Sequence, residues 1–135
     1  MKAKHPNDIL IIFRNFPLAI PARDKALLAA KVAEASGKQG KFWEMYNLLL
    51  DKQEQWSVSS SADEIFLKYA KKLGLNIEVF KSDLQSEKVM ERINLDLMRA
   101  RFLKLGSTPT VILNDRILSF EEISNLEEII SKDNK

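Results

Sequence analysis

Strand-like sequence occurs only near the two ends of this 135-residue chain, and the long stretch between them carries helical periodicity. Ile9 to Phe13 is a continuous apolar run rich in β-branched residues, the pattern of a strand buried on both faces of a parallel sheet. Asn7-Asp8 opens it and Pro17 helps close it. The second such stretch, Thr110-Val111-Ile112-Leu113, follows Pro109, and Asn114-Asp115 reads as a two-residue hairpin turn into Ile117-Leu118. One early strand and one late hairpin around a helical block predict an α/β sheet with a helical insertion. Three strands are few for such a sheet.

The helical block divides at its punctuating residues. Pro21 suits the first turn of a helix running through Arg23, Leu27, Leu28 and Val32, with Gly37 at its left-handed cap. A second helix begins near Gly40, where Phe42, Met45, Tyr46, Leu49 and Leu50 repeat at i, i+3, i+4, i+7 and i+8. Phe42, Trp43, Met45 and Tyr46 are expected in the core, and Trp56 is expected to pack. Ser61 or Asp63 caps a third helix with Phe66, Tyr69, Ala70 and Leu73 on one face before Gly74. A short helix from Asn76 to Leu84 and a long one opened by Ser86, with Met90, Ile93, Leu97 and Ala100 in phase, carry the chain to Gly106. Ser119 and Glu122 form a capping box for a last helix through Ile123, Leu126 and Ile130.

Composition excludes several function classes. The cysteine count is zero, which removes any thiol nucleophile, thiolate metal site or dithiol redox centre from this chain. Lys and Arg number 21 against 19 Asp and Glu, a net charge of +2, so no concentrated basic stripe for nucleic acid is expected. The longest apolar runs, such as Ile9 to Phe13 and Ala26 to Ala30, are five residues long, and a membrane span needs about 20. The basic start Met1 to Pro6 has no apolar stretch of the kind a secretory signal carries.

Conventional catalytic constellations are also absent from the sequence. His5, the only histidine, stands beside Pro6 and reads as a solvated surface residue. Glu121-Glu122 and Glu127-Glu128 read as wet helix faces, the first pair suited to a helix N-terminus. Lys68, Lys71 and Lys72 read as a solvated flank and helix end. Four glycines spread from Gly37 to Gly106 make no phosphate loop, and neither a metal nor a cofactor is expected. One segment stands apart. Thr108-Pro109-Thr110 leads directly into a strand, where proline at the first position costs no ladder bond. A cis bond there would turn the backbone of Thr108 outward as an edge able to pair with an extended peptide.

Phe13-Arg14-Asn15-Phe16-Pro17-Leu18, then an alanine-rich helix, then Gln39-Gly40-Lys41-Phe42-Trp43-Glu44, then Thr108-Pro109-Thr110 before a hairpin occur in one order over roughly Pro6 to Leu118. This ordered set resembles the DsbA-like group of the thioredoxin superfamily. The resemblance implies an α/β thioredoxin-like fold with a large all-helical insertion, residues 1–18 and 107–135 forming the thioredoxin-like part and 19–106 the mainly helical insertion of a single domain. It implies thiol–disulfide exchange on extended or unfolded peptides as the group's activity, and a periplasmic or cell-surface location of the bacterial kind. By the same resemblance Pro109 matches the group's cis-proline, Thr108 the substrate-contacting residue before it, and Ser107 a position where glycine is frequent. Lys104 also departs from the group's usual glycine.

The group's Cys-x-x-Cys lies before the phenylalanine-arginine strand, after a strand of its own, and only 12 residues precede Phe13 here. The expectation is therefore an N-terminally truncated sheet without the dithiol segment, in a fragment, a natural remnant or a fold relative that never carried cysteine. Without a thiolate the chain is expected to be redox-inactive by itself. A gap in the sheet predicts self-association, as a homo-oligomer. The alternative function is a non-catalytic peptide- or partner-binding module that uses the Thr-Pro loop and the helical block. A third reading is a structural helical protein in which the aromatic residues are only core.

Overall fold

The computed structural model describes residues 9–133. These fall into two compact units, one formed by Asn15–Arg101 and the other by the segment up to Arg14 together with the chain from Phe102 onward.

The Asn15–Arg101 unit is helical. After a short 3-10 turn at Pro21–Arg23 come α1 (Ala26–Gly37), α2 (Phe42–Asp51), α3 (Gln53–Trp56), α4 (Ala62–Lys72), α5 (Ile77–Leu84) and α6 (Glu87–Phe102, whose last residue belongs to the other unit). Alanines and Val32 let α1 pack closely against α2 and α5, and the core gathers Val32, Met45, Leu49, Trp56, Phe66 and Phe80. Trp56 is buried as expected, and its indole N–H donates to the carbonyl of Leu49 at 2.8 Å. Burial of this amphipathic donor is favourable because its one polar atom keeps a partner.

Several local expectations change. The helix expected to start at Pro21 is split, because the 3-10 turn ends at Arg23 and α1 begins at Ala26. Gly37 is not the left-handed residue. It is the last residue of α1, where a Cβ would sit 3.3 Å from Cβ of Phe42, whereas Gly40 takes the positive φ of 76°. Close helix approach rather than a cap explains Gly37. Met45 and Leu49 are buried on α2, but Trp43 lies on the exposed side, edge-on to Phe42 and Tyr46 with ring centroids 5.3 and 5.5 Å away. Ser61 is the N-cap of α4 without a side-chain bond, and Asn76 caps α5 by accepting from the Val79 N–H at 3.0 Å.

The deepest polar group of this unit is Asp96, on the inward face of α6, whose side chain is 0% exposed. Its carboxylate accepts from the Asn15 backbone N–H at 2.8 Å and from the Asn15 amide at 3.3 Å, and pairs with Arg92 at 2.8 Å. Arg99 stands 3.8 Å away. Asn15 in turn donates to Glu34 of α1. A buried carboxylate is tolerable only with such a set of donors.

The second unit holds the hairpin β1 (Ile112–Leu113) and β2 (Arg116–Ile117), then α7 (Phe120–Ser124) and α8 (Leu126–Asp133). The strands pair antiparallel, Leu113 with Arg116, and the two-residue turn at Asn114 and Asp115 has φ of 47° and 65°. Positive φ at both turn positions matches the right-handed twist of the strands it joins. Pairing extends by one more bond, from the Leu118 N–H to the Val111 carbonyl at 2.9 Å, so the expected strand from Thr110 is shorter than its apolar run. The last helix is interrupted at Asn125, whose φ of −107° ends α7 before α8 starts.

The expected strand Ile9–Phe13 is not one. The sheet described consists of β1 and β2, and Leu10 and Ile12 are 82% and 59% exposed rather than buried on two faces. β-branched composition favours a strand where packed faces and neighbouring strands are supplied. Asn7-Asp8 and His5 lie outside the described residues.

Two substitutions separate satisfied from unsatisfied burial. Asp96→Ala leaves Arg92 and the Asn15 N–H without their acceptor and should cost about 3 kcal/mol. The Tyr69 hydroxyl is buried with no hydrogen-bond partner, and burial raises its pKa. Tyr69→Phe should therefore leave stability unchanged or raise it by up to about 1 kcal/mol. Urea unfolding followed by tryptophan fluorescence measures both, and equal losses in the two variants would contradict this account.

Candidate functional site

The C-terminal end of α6 runs into the segment that the sequence singled out. Lys104 adopts a positive φ of 54°, Ser107 to Pro109 form an exposed bend, and the chain then enters β1. The peptide bond between Thr108 and Pro109 is cis. Thr110 closes the bend: its hydroxyl donates to the Ser107 carbonyl at 2.7 Å. Ser107, Thr108 and Pro109 are all exposed, and among the described residues no hydrogen bond engages the backbone of Thr108. The loop therefore presents main-chain donors and acceptors and a hydroxyl, the groups that pair with an extended peptide.

The hairpin that follows the loop is tied to the start of α7. Ser119 and Glu122 form the expected reciprocal capping box, Ser119 Oγ accepting from the Glu122 N–H at 3.2 Å and Glu122 accepting from the Ser119 N–H at 2.8 Å. The same carboxylate takes Arg116 of β2 as an ion-pair partner. Hairpin and helix start are thus joined through one side chain. The Ser119 N–H, and then Arg116, lower the Glu122 pKa from 4.5 to about 2.

The structure brings Ser107, Thr108 and Pro109 together in one turn, as neighbours in sequence must be. Thr110 was not among the expected site residues, although a hydroxyl three residues after Ser107 is a recognisable turn-closing signal. Glu122 serves the cap, and Glu121, Glu127 and Glu128 are exposed. Among the described residues there is no group of three or more His, Cys, Asp or Glu that could hold a metal ion. Lys68, Lys71 and Lys72 are exposed, the last two in the final turn of α4. Among the described residues no helix is long and apolar enough to cross a membrane. The helical unit has its own cavity of about 220 Å³, lined by Leu28, Val32, Phe66, Leu67 and Leu84 with Asp63, Lys81 and Gln85.

Comparison with known proteins adds a second line of observation. A family model described as "Thioredoxin" matches residues 2–132. A protein of Mycolicibacterium vanbaalenii named Na(+)/H(+) antiporter NhaA 1 is 36% identical over 116 residues, which is 84% of this chain and 18% of that protein. A Salinispora tropica protein named Na(+)/H(+) antiporter NhaA 3 is 33% identical over 105 residues, 78% of this chain and 15% of its own length. One of Herminiimonas arsenicoxydans, named Na(+)/H(+) antiporter NhaA, is 30% identical over 118 residues, 87% of this chain and 18% of its own length. The chain thus spans less than a fifth of these curated relatives. No solved structure matches it.

The lowered pKa of Glu122 sets a pH dependence for the hairpin. Its contribution is fully present above the ordinary value of 4.5 and is lost as pH falls from there through about 2. The Ser119 and Arg116 amide signals should keep their native NMR positions well below pH 4.5 and move together near the lower limit. In Glu122→Gln that late transition should vanish, and its persistence would assign it to another group.

Proposed function

The chain belongs to the thioredoxin family, and from that premise we propose a DsbA-like domain that binds an extended or unfolded peptide at Ser107, Thr108 and Pro109 without itself exchanging disulfides. The observation that carries this reading is the exposed Thr108 backbone, free of internal hydrogen bonds among the described residues and set at the entrance to a hairpin. A peptide lying along it gains main-chain bonds by strand addition, and affinity then depends little on peptide sequence. Disulfide exchange requires a thiolate attacking a disulfide sulfur, and this sequence contains no cysteine. Binding is the part of the family's chemistry that its residues can still supply.

Titration with a cysteine-free, extended peptide tests the reading. Amide shifts should concentrate between Gly106 and Leu113, and Thr108→Pro, which deletes one N–H donor, should weaken binding roughly two- to tenfold. Shifts confined to the helical unit would count against it. Self-association belongs to the same proposal, supported by exposed Leu10, Ile12, Ile112, Ile117 and Phe120 in the smaller unit. Sedimentation equilibrium should show a dimer at high concentration, and a constant monomer mass removes it.

The names of the relatives favour a second reading, in which the domain works with a sodium–proton antiporter. Its peptide would then be a segment of that transporter. Copurification with such an antiporter, lost in Thr108→Pro, joins the two readings, whereas copurification untouched by that change separates them.

A further inference from the structure

The cavity of the helical unit lies among α1, α4 and α5, with Leu28 and Val32, Phe66 and Leu67, and Leu84 as its apolar walls. Three exposed polar side chains complete the lining: Asp63 in the first turn of α4, Lys81 on α5, and Gln85 four residues later at the end of that helix. All eight residues belong to the Asn15–Arg101 unit. Among the described residues no ion pair joins Asp63 to Lys81, and the side chains of Asp63 and Gln85 hold no hydrogen bond. Lys81 pairs with Glu78, which is outside the lining, at 3.8 Å with both side chains more than half exposed. So exposed a contact is worth little.

We propose that this cavity binds a free apolar α-amino acid of leucine size, a function separate from peptide binding at the Thr-Pro loop. Apolar walls offer water few of the partners it needs, so the interior suits a hydrocarbon group. An apolar cavity of about 150 Å³ takes a benzene ring, and in proportion about 220 Å³ takes roughly nine non-hydrogen atoms, the number in leucine. The charges select the rest of the ligand. A carboxylate alone would meet Asp63 and an amine alone would meet Lys81, whereas a zwitterion gives its ammonium to Asp63 and its carboxylate to Lys81 and the Gln85 amide. Glu78 competes for Lys81 only through its long, solvated contact.

Titration of the full chain with L-leucine, followed by amide NMR shifts, tests the assignment. Saturable shifts should centre on Val32, Phe66 and Leu84. Glycine, which lacks the hydrocarbon side chain, should bind about a hundredfold more weakly. N-acetyl-leucine, without the ammonium, and leucinamide, without the carboxylate, should each bind about two- to fivefold more weakly than leucine. Lys81→Met should remove the preference for leucine over leucinamide, and Asp63→Asn the preference over N-acetyl-leucine. Both positions are exposed, and circular dichroism should stay native. Absence of saturable shifts, glycine bound as tightly as leucine, or preferences unmoved by both variants would each overturn the proposal. Shifts confined to Ser107 and Thr108 would overturn it too, by placing leucine in the peptide loop.

Discussion

One buried carboxylate governs the helical unit. Asp96 sits on the inner face of α6 with no exposure, where an uncompensated charge would be costly enough to prevent packing. Its donors include groups from two parts of the chain. Arg92 lies one turn earlier on the same helix, and Asn15 lies 81 positions away and supplies both a backbone and a side-chain N–H. Asn15 also reaches Glu34 on α1. The entry of the chain is therefore fixed against α6 and α1 by polar groups that have no other means of replacing lost water. Apolar packing of Val32, Met45, Phe66 and Phe80 supplies the favourable burial, and the Asp96 set specifies where the first residues of the unit must lie.

A different logic applies to the hairpin unit, whose described sheet has only two strands of two residues. So small a sheet gains little from its own ladder. Local side-chain bonds take that role: Thr110 closes the bend onto Ser107, and Glu122 ties the start of α7 to its cap and to Arg116. The loop that carries the candidate peptide site thus rests on short-range polar contacts. Exposed apolar residues, among them Ile112, Ile117 and Phe120, remain in the hairpin unit.

Helices, their caps and the hairpin turn were legible because each is decided within a few residues. Asn76 and Ser119 cap their helices through bonds to residues three positions on, and Asn114-Asp115 can adopt positive φ where most residues resist it. The order of motifs from Phe13 to Thr110 pointed to the family that the match over residues 2–132 shows. Less legible were Gly37, which serves the approach of Phe42 rather than a cap, and Trp43, which shares the aromatic cluster from its exposed side. Helical spacing cannot separate these roles, since neighbouring faces of a helix are distinguished only by what packs against them.

By itself the sequence determined the helical block, the hairpin turn, the Thr-Pro entrance to the strand and the impossibility of thiol chemistry within these residues. Each depends on local stereochemistry or on which atoms are present at all. Tertiary structure alone decided that Ile9–Phe13 is not a strand and that Asp96 is a buried anchor for Asn15. Those outcomes depend on partners distant in the chain. β-branched composition favours a strand without dictating one, and a carboxylate becomes structural only if donors converge on it.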